Sequence, residues 1–211
     1  MTSKAALILA LALVGAAAAP GETWRFTAQR VSSVQSESES LTVLDGAARV
    51  ESDTMVILAD HLELAGPDYD RISGFGSVSV DDRDEGLQVR SGRFEYDRDS
   101  DIIRFRDQVT LVDEGEGIVI RCESLDLLNQ DDLAVMQISV RLIQEDTVCR
   151  GEYATFQRNE NLLEISGRPV VWRDGDEYRA DRIRVDLDTD EIVMEGTVAG
   201  ALTTDDDQED E

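Results

Sequence analysis

The chain has 211 residues and carries 46 acidic against 20 basic side chains, a formal net charge of −26 at neutral pH. That balance argues against nucleic acid as a partner, because phosphate binding needs a basic surface, and against docking on an anionic bilayer through overall charge. It suits solubility, since a strong net charge keeps objects with open sheet edges apart.

In chain order, residues 1–19 read as a cleavable export leader. Lys4, the sole lysine, precedes an apolar stretch from Ala5 to Val14 and a small-residue run from Gly15 to Ala19, in which Ala16 and Ala18 fit an A-x-A cleavage signal. The apolar run is short for a bilayer span of ~20 residues; its retention as a single-pass anchor is the alternative. No cysteine follows it, so no lipidated N-terminus is expected. Export places Cys122 and Cys149, the only two cysteines, in an oxidising compartment.

From residue 20 to 204 one pattern recurs. A small residue is followed by large apolar residues at three and five positions after it and preceded by one two positions before. A weak first copy centres on Ala28, with Phe26 and Val31 around it. The polar, low-complexity segment 32–40 follows, where a longer loop is expected. The clear copies centre on Ala59 (Ile57, Leu62, Leu64), Ser91 (Val89, Phe94, Tyr96), Cys122 (Ile120, Leu125, Leu127), Gly151 (Cys149, Ala154, Phe156) and Ala180 (Tyr178, Ile183, Val185). The centres are 31, 32, 31, 29 and 29 residues apart. A fixed period of this size signals stacked units, none of which buries its apolar face alone.

Within each copy the apolar residues alternate, the mark of half-buried strands. Between the small residue and the third position after it the phase slips by one, which predicts a bulge or bend where the strand turns a corner. A large side chain at the small position would meet the opposite wall. Polar turns follow at constant phase, such as Asp97-Arg98-Asp99-Ser100-Asp101 and Asn129-Gln130-Asp131-Asp132. A returning strand comes next, often with a glycine ahead of its valines, as at Gly76, Gly167 and Gly196. The fold class is therefore all-β, an elongated antiparallel array of two-strand units. Residues 205–211 read as a disordered acidic tail.

Chemistry has few candidates. The D-x-D-x-D runs at Asp97–Asp101 and Asp186–Asp190 have calcium-loop spacing but lack the following glycine and the distal glutamate together, and turn chemistry explains them. His61, the only histidine, is expected to face solvent. No catalytic residue, metal site or cofactor is expected, although a carboxylate pair of glycosidase type is not excluded by inventory. A disulfide between Cys122 and Cys149 needs Cα atoms within ~7 Å; two small buried hydrophobes is the other reading. What remains is the inner face: Ile57, Leu62, Leu64, Val89, Phe94, Tyr96, Ile120, Leu125, Leu127 and Phe156. These form either a plain core or, if the walls do not close on each other, a binding groove.

The segments Tyr178-Arg-Ala180-Asp181-Arg-Ile183-Arg-Val185-Asp186 and Ile192-Val-Met-Glu195-Gly196-Thr-Val198 resemble the repeat of the OstA-like lipopolysaccharide-transport family. Leu163 to Trp172 fits the family's returning strand, and Leu58-Ala59-Asp60-His61-Leu62-Glu-Leu64 repeats its A-D-x-L element. The likeness spans about residues 25–200. It implies an OstA-like β-jellyroll, a V-shaped trough open at both ends, stacked end to end across the periplasm. The implied ligand is lipopolysaccharide or a related glycolipid, its acyl chains in the trough. The implied partners are LptC-like and LptD-like proteins joined by end-strand addition, and head-to-tail copies of the chain itself. The leader suits the soluble bridge member of the family, and no large C-terminal barrel is present to suit the outer-membrane member. The acidity departs from what an anionic cargo favours and draws attention to Arg90, Arg93, Arg121 and Arg150. A non-catalytic scaffold solenoid of the envelope and a carbohydrate-active solenoid are the alternatives.

Overall fold

The computed structural model describes residues 24–203, apart from 36–39, 67–68, 84–85, 116 and 190. The expected leader (1–19) and acidic tail (205–211) lie outside the described residues. Among the described residues, sixteen strands form one sheet in which every pairing is antiparallel.

Eight long strands make up the middle: β3 (Ser40–Glu51), β4 (Met55–Ala65), β5 (Arg71–Asp82), β6 (Leu87–Asp97), β7 (Ile102–Asp113), β8 (Ile118–Leu128), β9 (Leu133–Gln144) and β10 (Thr147–Gln157). They pair in sequence order. At the ends the strands are broken in half: β1 (Arg25–Thr27) and β2 (Arg30–Gln35) both pair with β3, while β11 (Leu162–Ser166) and β12 (Val170–Arg173) both pair with β10. Beyond them β13 (Asp176–Arg179) and β16 (Ala199–Ala201) continue one half, and β14 (Arg182–Asp186) and β15 (Glu191–Glu195) continue the other. Strand β2 runs through Gln35 and β3 begins at Ser40, so 32–35 and 40 of the expected loop are strand, and 36–39 lie outside the described residues.

The breaks explain the phase slip. Each long strand changes register once near its middle, between Asp45 and Ala48, Leu58 and His61, Phe75 and Val78, Arg90 and Arg93, Arg106 and Val109, Arg121 and Ser124, Gln137 and Val140, and Gly151 and Tyr153. These shifts line up into one corner that folds the sheet into two walls. The first wall holds the halves that include Ile57, Val89, Ile120 and Cys149; the second holds those with Leu62, Phe94, Leu125 and Ala154.

At the corner the returning strands adopt two successive left-handed residues: Gly46–Ala47, Gly76–Ser77, Asp107–Gln108, Ile138–Ser139 and Gly167–Arg168. Such pairs bend a strand sharply and leave backbone N–H groups outside the ladder. The residue after the small one meets that need. The Glu123 carboxylate accepts from Gln108 N–H at 3.3 Å, Glu152 from Ser139 N–H at 3.4 Å, and Asp181 from Thr197 N–H at 3.0 Å. The acid of the A-D-x-L element is thus a corner fastener. The small residue has an equally concrete reason at Gly151, where an added Cβ would lie 2.6 Å from Ile165 Cγ2 and 2.8 Å from the Ser166 carbonyl oxygen.

Inward positions form continuous rows across the strands. One row on the first wall runs Val50, Ile57, Val80, Val89, Leu111, Ile120, Leu142, Cys149 and Val171. The second wall answers with Leu44, Leu62, Gly74, Phe94, Phe105, Leu125, Met136, Ala154 and Ile165. Small residues make room for large neighbours along the row: a Cβ on Gly74 would lie 3.0 Å from Leu62 Cδ2, and Phe94, opposite Gly74, packs on Phe105 with ring centroids 5.3 Å apart. Each fully buried side chain of this kind contributes about 1.5–3 kcal/mol.

Cys122 and Cys149 are unbridged in this structure. Cys149 stands opposite Leu142, which stands opposite Ile120, so β9 separates the two cysteine strands by roughly 9–10 Å, twice the strand spacing. Both thiols are free and buried, and burial pushes each pKa up to about 12. They are inert small hydrophobes.

Candidate functional site

The space between the walls is filled through the middle of the molecule. Leu62, Ile120 and Leu125 are wholly buried, and Val89, Leu127 and Phe156 are 1–2% exposed. These six of the ten expected lining residues pack as core. They are sealed between the walls and are not among the residues that line the opening described next.

The walls part at the N-terminal end, on the side away from the corner. There a cavity of about 160 Å³ is lined by Trp24, Val50, Met55, Ile57, Leu64, Tyr69, Ile72, Phe94, Tyr96, Arg98 and Ile103. Ile57, Leu64, Phe94 and Tyr96 are the four expected residues that the structure brings together. Val50, Ile72 and Ile103 belong to the returning strands and stand in register with them; the alternation of those strands carried that signal. Trp24, Tyr69 and Arg98 come from segments outside the strands, where no periodicity marks an inward residue.

The lining is apolar with a polar edge. Burial raises the pKa of the Tyr96 hydroxyl, with Asp101 adding to the effect. The turns beside the opening are tied to one another: Arg98 N–H donates to the Asp70 carbonyl, Asn129 N–H to Asp101, and Arg158 N–H to Asp132. This ladder of turns holds the edge of the second wall. Asp97 and Asp186, which open the D-x-D-x-D runs, accept hydrogen bonds from the Ser100 N–H and from the Asp188 and Thr189 N–H groups respectively. Both carboxylates are engaged as turn acceptors.

His61 lies on the outer face of the second wall, between Glu63 at 3.0 Å and Asp45 at 2.6 Å. The hydrogen bond to Glu63 and then that to Asp45 raise its pKa above 6.5. The arrangement is a charged surface cluster 31% exposed at the imidazole.

No protein-family model and no curated protein matches the sequence. Among solved structures, the chain is similar to LptH from Pseudomonas aeruginosa, described as the LptA-homologous periplasmic component of the conserved lipopolysaccharide transport device. The match has a TM-score of 0.52 at 10% sequence identity and covers 58% of this chain and 98% of LptH. The chain therefore has the OstA-like β-jellyroll fold of LptA-type proteins.

Proposed function

We propose that this chain is a periplasmic carrier that holds the acyl chains of lipopolysaccharide, or of a related glycolipid, between its two walls. The carrying observation is the apolar opening at the N-terminal end, continuous with inward rows that run the length of the fold. The likeness to LptH and the leader expected from the sequence support the same reading. None of the helices among the described residues is long and apolar enough to cross a membrane.

The opening is smaller than the ~300–1000 Å³ usual for small-molecule pockets, so loading requires the walls to separate further along the edge away from the corner. Each methylene buried contributes ~0.8 kcal/mol, and the corner acts as the hinge line. No bond is made or broken; the reading is of a carrier rather than an enzyme.

Assembly follows from the ends. Among the described residues, β1 and β2 at one end and β15 and β16 at the other have one free side each. The first edge carries Arg25 and Arg30 and the last carries Glu191 and Glu195. Complementary edges of this kind join by strand addition, to a second copy or to LptC-like and LptD-like partners.

Site-specific photocrosslinkers at Met55 and Leu64 test the reading. They are expected to capture lipopolysaccharide in membrane-derived extracts, whereas one at Ser79 on the outer face is not. Equal labelling at Ser79, or none at Met55 and Leu64, overturns it. The packed middle favours a second reading, a dry scaffold solenoid, which requires that no lipid co-purify with gently extracted protein.

A further inference from the structure

The outer face of the first wall carries a row of like charges. The residue just before the corner position is Arg90, Arg121, Arg150 and Arg179 in four copies, and the returning strand β9 adds Arg141. Register sets Arg121, Arg141 and Arg150 directly opposite one another on β8, β9 and β10. The row continues through Val170 to Arg179. Like charges opposite one another on neighbouring strands destabilise a sheet. Among the described residues, none of Arg90, Arg121, Arg141 and Arg150 has an ion-pair partner. In a chain with 46 acidic residues against 20 basic ones, that local exclusion of carboxylates is a specific feature.

Beside the row, the corner opens into a concave groove of about 520 Å³. Arg141, Arg150, Arg168 and Arg179 line it, with Trp172 and one carboxylate, Glu152. Glycines 151 and 167 also line it and, carrying no side chain, leave it room. The Arg150 guanidinium lies 5.5 Å from the centre of the Trp172 ring. The Trp172 indole N–H donates to Glu177 at 2.9 Å, and Arg179 also pairs with Glu177. Glu152 accepts from the Ser139 N–H. Arg141, Arg150 and Arg168 are left with no carboxylate partner among the described residues, in a hollow with an aromatic wall.

We propose that this groove binds a phosphate ester, with Arg141, Arg150 and Arg168 taking the phosphate oxygens and Trp172 covering the attached organic group. Guanidinium forks match phosphate oxygens two at a time, and an aromatic face suits the carbon skeleton beside them. The site is on the outside of the first wall, in the C-terminal half, apart from the apolar opening between the walls. The ester is either the phosphorylated headgroup of a lipid or a soluble phosphate monoester.

The test is a titration of the full chain at low salt, observed by NMR at the Trp172 indole N–H, with the Ser79 backbone N–H, outside both the groove and the opening, as internal control. Glycerol 3-phosphate is the soluble probe; vesicles of phosphatidic acid in phosphatidylcholine are the lipid probe. A saturable shift of Trp172 with none at Ser79 is expected, weakened at least tenfold in R141Q/R150Q. A response only to vesicles assigns the site to lipid headgroups; a response to both admits the soluble ester. Should the double variant not fold, R168Q at the exposed corner gives the same reading. No saturable shift with either probe overturns the proposal, as does undiminished affinity in the variants or equal affinity for inorganic sulfate. A shift seen only after removal of residues 204–211 makes the acidic tail the occupant and overturns it too. Crosslinking in the apolar opening is read at different residues, so either result stands without the other.

Discussion

The two walls are built from the same repeat yet treat charge differently. On the outer face of the second wall, opposite charges meet: Arg30 and His61 flank Asp45, Arg106 reaches Asp126, and Arg182 and Arg184 share Glu164. On the outer face of the first, Arg121, Arg141 and Arg150 stand in line without ion-pair partners among the described residues. Packing is not the cause, since the inner rows of both walls are equally buried. Outward positions are free of the core's volume constraint, so charge there is set independently of the fold.

Inner and outer positions separate most sharply under charge. Leu125→Asp is expected to abolish folding or lower stability by about 3–5 kcal/mol, because it buries an unpaired carboxylate. Leu58→Asp, on the outer face of the first wall at 38% exposure, is expected to stay within about 0.5 kcal/mol of the parent in urea unfolding. Equal losses would mean that the rows are not the two faces of one wall.

At the corner, Gly151→Leu is expected to destabilise by about 1–3 kcal/mol through overpacking against Ile165 and Ser166. Ile138 is the reverse case: a β-branched residue at φ +64° and 55% exposed, where glycine serves in other copies. Ile138→Gly is expected to raise stability by about 1 kcal/mol, measured by the same unfolding midpoints.

Removing one arginine from each wall sharpens the electrostatic contrast. Arg141→Gln is expected to stabilise the fold by about 0.2–1 kcal/mol at low salt, the gain vanishing at 1 M salt. Arg106→Gln, which loses Asp126, is expected to destabilise by less than about 1 kcal/mol. Matching signs would erase the difference between the walls.

The smallest effect is at His61. Its folded pKa lies above the 6.5 of an unfolded histidine, through Glu63 first and Asp45 second. The protonated form therefore favours the fold: its contribution is complete below pH ~6.5 and disappears as pH rises through the raised folded value. An imidazole titration by NMR should show a midpoint above 6.5 that falls in Glu63→Gln; a midpoint at or below 6.5 contradicts the paired geometry.

Much of this was legible in advance where the cause is local. The period of about 30 residues, the phase slip beside Ala59 and its equivalents, and the turns after each copy follow from side-chain size and backbone preference within a few residues. The corner, both strands of each unit and all ten inward residues emerge from that pattern. The acid after the small residue was visible in A-D-x-L, but its task as acceptor for the facing corner was not, because the donor lies on another strand.

What the sequence by itself determined is the unit: two strands, one corner, one apolar face, repeated along an acidic chain. Only the tertiary structure decided how far the walls close, that Cys122 and Cys149 are held apart by β9, and which arginines stand in one row. These depend on lateral register and on volumes contributed from distant strands. Inward Leu125 and inward Leu64 read alike in the sequence. One is sealed at 0% exposure and the other lines an opening, because closure is a property of what faces a residue across the interior.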